Sequence, residues 1–466
     1  MIVSTNKDEY LVELQDLCKL FGVEDIEVKH KEQQEGNVVK DNFVVKIGDK
    51  EGQFDFDYVL DTQMSDLRRK SYQKRMIKNF LYQILSKLLN KNLPWGSLTG
   101  VRPTKFVRDL IEYGEMKSHL IAETLIKDYY VSPEKAKLVT MILKNQKCII
   151  KNDNLIDLYV NIPICPTRCL YCSFISNELE RVKNKMETYL DCLIKEIDAV
   201  KKIISKKTYL VRNIYIGGGT PSVLTPSQLD RLLSNLNFPV SEFTVECGRP
   251  DTISAEKLDV LKKHGVTRIS INPQTFCEAT LKRIGRKHKN SQVFDGYTKA
   301  LERGFVVNMD IIAGLPGEKF GVFKRTINTL IDLYPNNITV HTLSVKNGAL
   351  LRKDTSVLDS KDIEKMVNYA QTTLIDKGYK PYYMYRQKNQ LCGLENVGFY
   401  RDEDICVFNI DSMEETNTVI GVGAGAMSKR VFNIEKRIER EPNVKFIDDY
   451  INRIDEMIAK KMEFYK

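Results

Sequence analysis

The sequence predicts an α/β protein: an incomplete, curled (βα)6 barrel of TIM type, with an N-terminal α+β and helical region and a C-terminal α+β extension. Three observations carry this. From Leu155 six apolar, β-branched runs appear, at Leu158–Ile162, Asn213–Ile216, Phe243–Val245, Arg268–Ile271, Val306–Ile312 and Ile338–Leu343. Amphipathic helical stretches separate them, near 178–206, 226–236, 254–264, 277–303 and 320–333. Such alternation builds a parallel sheet with right-handed crossovers, and a doubly wound sheet is the alternative topology. Finally, the residues that carry chemistry fall where strands end and loops begin, which is where barrel folds place their sites.

In chain order, 1–64 reads as a small acidic α+β unit. An amphipathic helix around Glu9–Phe21 precedes alternating segments such as Phe43–Ile47 and Phe54–Tyr58, and the Gly48-Asp49-Lys50 turn suggests a hairpin. Residues 65–151 form a basic helical segment, with Met76, Ile77, Phe80, Leu81, Ile84 and Leu88 on one face and breaks at Pro94-Trp95-Gly96 and Arg102-Pro103. Residues 152–345 are the barrel core, and 346–466 the C-terminal, substrate-side and helical domain.

The 466 residues are too many for one small core, and 42% hydrophobic with 29% charged content is ordinary for a globular protein. The charged N-terminus lacks the apolar core of a signal peptide, and no run of about 18 apolar residues occurs, so no membrane span is expected. Net charge is +9 and unevenly spread. Residues 1–64 hold 7 basic and 15 acidic side chains, 65–151 hold 18 and 7, and the remainder 46 and 40. The basic middle block suits a polyanion or a multi-carboxylate partner, or is a set of solvated helix faces.

Ten cysteines without regular spacing do not form a disulfide framework, so a reducing cytoplasm is the expected compartment. Cys18, Cys148, Cys192, Cys277, Cys392 and Cys406 are expected as buried small hydrophobes. Cys165-Pro-Thr-Arg-Cys169-Leu-Tyr-Cys172 is different, with three thiols in a C-x3-C-x2-C loop after a strand. A structural zinc site wants four ligands, and no fourth Cys or His lies nearby. A cubane iron–sulfur cluster takes one thiolate per iron, so three thiolates would leave one iron open for a ligand.

The remaining strand ends carry polar groups. Gly217-Gly218-Gly219-Thr220-Pro221 lacks side-chain bulk and lets backbone amides approach a charged ligand, and it lacks the Lys of a P-loop. Glu246 ends the third strand, Gln274 the fourth, Arg286 lies in the loop beyond, and Asp310 is in the fifth. A carboxylate can accept bonds from an amine or from hydroxyls, and the guanidinium fork suits a ligand carboxylate. His341, ending the sixth strand, is an acid–base group or a satisfied core histidine, and Cys247 reaches the pocket or is a buried thiol, the second reading being expected in each case.

With Tyr159-x3-Pro163, the cysteine loop, GGGTP, Asn272-Pro273-Gln274-Thr275, Gly285-Arg286-Lys287-His288 and Met309–Gly317, the chain resembles the radical S-adenosylmethionine (SAM) family of oxygen-independent coproporphyrinogen III oxidases. Gly421–Ser428 resembles that family's C-terminal glycine segment, and the wider likeness covers about 155–430. Leu93-Pro94-Trp95-Gly96 and Tyr385–Asn389 look closest to the HemZ-type coproporphyrinogen dehydrogenases. The resemblance implies that Cys165, Cys169 and Cys172 hold a 4Fe–4S cluster. It also implies that Tyr159, Gly218, Gly219, Thr220, Glu246, Gln274, Arg286 and Asp310 line the SAM site, with Tyr171 near the cluster.

The implied reaction is cluster-driven cleavage of SAM, hydrogen abstraction from propionates of coproporphyrinogen III, and loss of carbon dioxide to give the vinyl groups of protoporphyrinogen IX. The implied partners are this tetrapyrrole and a one-electron donor such as flavodoxin or ferredoxin; nucleic acid is not an expected one. A substrate with four carboxylates around an apolar macrocycle wants cations and aromatic walls, and Lys380–Lys388 supplies both, so Tyr385, Arg386 and Lys388 are candidate substrate contacts. Two departures stand out. Phe174 occupies the place of a further cysteine in the family's oxidases, as an aromatic residue does in relatives that resemble haem chaperones, and Met427 replaces a frequent His. Haem carriage, or radical SAM chemistry on haem or RNA, are therefore the alternatives.

Overall fold

A computed structural model describes residues 1–100, 102–174, 177–344, 351, 360–387 and 393–466. The chain divides into two compact units, Met1–Met141 and a second holding 142–387 and 395–466 of the described residues.

In the N-terminal unit, strands Ile2–Thr5, Ile26–Glu35, Val38–Ile47 and Lys50–Val59 lie side by side in that order. The first pair is parallel and the others are antiparallel, with Val45 opposite Val28 and Gly52. In the second strand Ile26, Val28, His30 and Glu32 are buried and the residues between them are not, which marks a sheet with one covered face. Helix Asp8–Phe21 covers it through Tyr10, Leu14, Leu17 and Phe21, and stops at Gly22, whose left-handed φ of 71° suits glycine. Helix Asp66–Leu89 adds Ile77, Phe80, Leu81, Ile84 and Leu85 to the same core. That core therefore draws side chains from both sides of position 64.

The second unit holds six parallel strands in consecutive order: Leu155–Ile162, Leu210–Gly218, Glu242–Val245, Arg268–Ser270, Val306–Ala313 and Asn337–Thr342. They are buried almost throughout, as strands covered on both faces must be. Beyond the sixth lie antiparallel Glu395–Tyr400 and then Lys380–Arg386. Beyond the first lies parallel Thr418–Val422, followed by the antiparallel strands Met427–Phe432 and Arg437–Pro442. Crossover helices include Met186–Lys207, Pro226–Leu233, Ala255–Lys263, Asn290–Glu302 and Phe320–Leu333. Thr225 and Gln228 close a reciprocal capping box on the second of these. The expected helical stretch 277–303 is two helices, Glu278–Arg283 and Asn290–Glu302, because Gly285 turns left-handed at φ 76°.

The sheet curls. Tyr215 of the second strand, Asp310 of the fifth and Tyr385 of the Lys380–Arg386 strand all face one cavity, which a flat sheet would not allow. This is the expected partial (βα)6 barrel with its C-terminal α+β extension. Among the described residues no helix is long and apolar enough to cross a membrane.

Candidate functional site

The cavity, of about 370 Å³, opens at the carboxyl ends of the barrel strands. Cys165, Cys169 and Cys172 all line it, and none is in a disulfide. Their loop is pinned on two sides. Thr220 N donates to Ile164 O at 2.8 Å from the glycine loop, and Leu170 N donates to Ile284 O at 3.0 Å. Thr220 Oγ1 donates to Cys165 Sγ at 3.5 Å. Among the described residues no three His, Cys, Asp or Glu side chains converge to hold a single metal ion. A cubane asks for something else, one thiolate at each of several separate irons.

The glycine loop is a cradle whose empty space is required. At Gly218, φ is 104° and a Cβ would collide with Asn161 Oδ1; at Gly219 it would sit 2.6 Å from Ile164 N. Asn161 in turn donates to Ala424 O at 2.5 Å and accepts from Tyr159 OH at 3.0 Å, so the first strand, the glycine loop and the Gly421–Ser428 turn are locked together. Tyr159 reaches the site indirectly, through this bond and by stacking on Tyr215 at 6.2 Å. It is absent from the cavity wall and stacks on Phe408 at 6.2 Å.

Around the cradle the polar wall is tightly built. Burial pushes the Glu246 carboxyl up to about 7, against the opposing hydrogen bond from Tyr215 OH at 2.5 Å. Burial would also raise Asp310, but hydrogen bonding from His341 and Asn308 holds it below the usual range. Asn308 Nδ2 donates at 2.7 Å, Asn272 Nδ2 at 2.8 Å, and His341 Nε2 lies 3.6 Å from Asp310 Oδ2. Arg286 is buried and aimed by Tyr171 OH at 3.1 Å, Gly248 O at 2.7 Å and Asn272 O at 2.9 Å. Gln274 holds a left-handed φ of 65°, and among the described residues its buried Oε1 has no partner while the residue lines the cavity. A strained residue with an orphaned acceptor at a cavity wall suits a ligand donor. Three accessible thiols, a side-chain-free cradle, carboxylates and an orphaned acceptor fit a cluster with a zwitterionic, cationic ligand beside it.

Of the sequence candidates, the structure therefore brings together the three cysteines with Tyr171, Gly218, Gly219, Thr220, Glu246, Gln274, Arg286, Asp310 and Tyr385. Arg386 stands apart from them. Strand alternation turns it away from the cavity that its neighbour Tyr385 lines, into a buried setting where desolvation lowers its guanidinium to about 10 and Glu395 opposes that. Lys388 and Cys392 lie outside the described residues. Cys18, Cys247 and Cys406 are buried, as expected, whereas Cys148, Cys192 and Cys277 are half-buried.

His341 is the main departure. Rather than a sealed core histidine it lines the cavity, with Tyr385 OH 3.3 Å from its Nδ1. Sequence reasoning also missed Tyr215 and Asn272. Tyr215 was legible in principle, since it sits three residues before the Gly218 cradle on an inward position of its strand.

The chain was compared with known proteins. Residues 159–330 match the radical SAM superfamily. The oxygen-independent coproporphyrinogen-III oxidase-like protein HemZ of Bacillus subtilis (strain 168) is 35% identical over 408 residues, covering 84% of this chain and 81% of that protein. Heme chaperone HemW of Escherichia coli (strain K12) is 28% identical over 286 residues, 59% of this chain and 71% of that one. Among solved structures, coproporphyrinogen III oxidase (HemN) from Escherichia coli, a radical SAM enzyme, shares the fold with a TM-score of 0.54 at 24% identity, covering 68% of this chain and 73% of that one. The chain therefore belongs to the radical SAM superfamily, which uses a 4Fe–4S cluster and SAM, and within it to the family of the oxygen-independent coproporphyrinogen-III oxidase-like HemZ proteins.

Proposed function

We propose that the protein catalyses radical SAM-dependent oxidative decarboxylation of coproporphyrinogen III propionates, yielding the vinyl groups of protoporphyrinogen IX. The observation that carries this is the convergence of three thiols, the glycine cradle and the strand-end polar groups on one cavity. The porphyrinogen part is supported by likeness to a coproporphyrinogen-III oxidase-like relative over most of both chains.

Cys165, Cys169 and Cys172 would hold the cluster, and Gly218, Gly219 and Thr220 would line the SAM site with Glu246, Gln274, Arg286 and Asp310. Together the two cofactors supply, when bound, a radical able to take hydrogen from an unactivated carbon. The chain's own task is placement. Arg286, fixed by four acceptors, keeps one Nη1 N–H and its positive charge for a ligand carboxylate. Glu246 and Asp310 offer negative charge to a cationic ligand in the cavity. Tyr385, held by His341, is the nearest candidate from the C-terminal extension to meet the macrocycle. Each propionate gives up one hydrogen atom to the radical, carbon dioxide, and one further electron, which passes to a separate one-electron acceptor. A one-electron donor of flavodoxin or ferredoxin type would reduce the cluster.

Anaerobic reconstitution with iron, sulfide, dithionite, SAM and coproporphyrinogen III tests the reading. Protoporphyrinogen and 5′-deoxyadenosine should form together, and both should vanish in Cys169→Ala. SAM cleavage with no vinyl product would reject decarboxylation.

A second reading, haem carriage, is favoured by Phe174. It stands where the family's oxidases carry a cysteine, lines the cavity, and is 66% exposed. HemW relatives are named heme chaperones. Stoichiometric haem binding without productive SAM turnover would select it.

A further inference from the structure

Glu246-Cys247-Gly248-Arg249-Pro250-Asp251 follows the third strand, and Arg249 stands out. Its side chain is 4% exposed, yet it points at the cysteine loop about 80 positions earlier in the chain. One guanidinium nitrogen donates to Thr167 Oγ1 at 3.1 Å and Thr167 O at 3.3 Å, and lies 4.0 Å from Cys169 Sγ. The opposite edge grips Asp251 through two bonds, Nε to Oδ1 at 2.9 Å and a terminal nitrogen to Oδ2 at 2.8 Å.

The base of the clamp is rigid. Thr252 Oγ1 donates to Arg249 O at 2.7 Å and meets Ser222 Oγ of the glycine loop at 2.5 Å. Lys257 Nζ donates to Ser222 O at 2.6 Å and Thr252 O at 3.0 Å. Arg249 thus couples three loops, those after the first, second and third strands. A surface arginine would not be buried with its fork divided between a carboxylate and a thiol-bearing loop.

We infer that Arg249 is a positioning residue of the cluster site: it fixes the cysteine loop and lends a buried positive charge to Cys169, making the bound cluster easier to reduce. Hydrogen bonds and charge at cluster sulfurs are general determinants of reduction potential, and groups behind first ligands commonly alter metal retention about 10- to 100-fold. Asp251 sets the strength of this charge. Burial would raise its carboxyl, but the Arg249 bonds hold it below its ordinary value, so it stays ionised and partly neutralises the guanidinium.

The inference rests on Cys165, Cys169 and Cys172 being the cluster thiolates. The experiment is a redox titration of the anaerobically reconstituted full chain, read by electron paramagnetic resonance and iron content. Arg249→Gln should lower the midpoint potential, so that at the wild-type midpoint the ratio of reduced to oxidised cluster falls about tenfold, and it should lose iron faster to a chelator. Arg249→Lys keeps charge without the fork and should fall between the two. Asp251→Asn leaves the guanidinium unneutralised and should move the potential the other way, which keeps the idea testable should Arg249→Gln fail to fold. Wild-type potential and iron retention in Arg249→Gln overturn the inference, as does an unmoved potential in Asp251→Asn. Wild-type protein that takes up no cluster would instead reject the thiolate assignment.

Discussion

Two buried polar clusters, one in each unit, invite comparison. In the N-terminal unit Thr5 Oγ1 meets His30 Nδ1 at 2.9 Å, His30 Nε2 meets Asp41 Oδ1 at 2.7 Å, and Tyr10 OH donates to Glu32 Oε2 at 2.8 Å. Phe43 packs on the His30 ring at 4.7 Å, and Lys7 Nζ lies 3.3 Å from Glu32 Oε1. In the barrel, Glu246, Tyr215, Asp310, His341 and Arg286 are bonded as densely, but their free edges face a cavity. Buried polarity by itself therefore marks no site. Nor does an unpartnered acceptor, since among the described residues Asp41 Oδ2 has none either; three thiols and a side-chain-free glycine loop on the same cavity do.

Substitutions can break this contrast. The largest effect is expected at Cys165 or Cys172: alanine at either should reduce iron content and 5′-deoxyadenosine formation to background, while the apoprotein melts near the wild-type temperature. Next is His30→Ala. Stranding Asp41 and Thr5 in the core should cost about 3 kcal/mol in denaturant unfolding, with SAM cleavage per folded molecule unchanged. Altered cleavage there would mean that the two clusters are not independent. Arg286→Lys removes the fork and should weaken SAM binding about 10- to 100-fold by calorimetry, without changing iron content.

The smallest effect is one of pH. With its carboxyl pushed to about 7 by burial, Glu246 is neutral below that value and ionised above it. A cationic ligand prefers the ionised form, so SAM affinity should rise about tenfold from pH 6 to pH 8, and Glu246→Gln should flatten the profile. In the apoprotein the folded state keeps this proton between pH 4.5 and about 7, whereas the unfolded chain releases it. Its contribution to stability therefore falls as pH rises through that window, and urea midpoints of the wild type and Glu246→Gln should diverge across it.

Legibility followed the same division. The six barrel strands announce themselves because both faces are buried and the runs are rich in apolar, β-branched residues. Strand Ile26–Glu35 does not, since its inward positions include His30 and Glu32, so apolar alternation fails although burial alternates from Ile26 to Gln33. Tyr385 and Arg386 are adjacent in sequence and equally suited to a carboxylated macrocycle by chemistry, but the two-residue period of a strand sends only the first to the cavity. His341 is apolar in context and yet reaches Asp310, because the sixth strand lies beside the fifth. Arg249 gave no signal, for its partners lie on a loop about 80 positions away.

By itself the amino-acid order determined the strand and helix rhythm, the cysteine spacing and the glycine cradle, since these depend on local periodicity and on chemistry a few residues wide. The tertiary structure alone decided which polar groups meet. Curling the sheet brings side chains from the second strand and from the C-terminal extension onto one cavity, and no local pattern encodes a contact whose partners become neighbours only when the sheet closes.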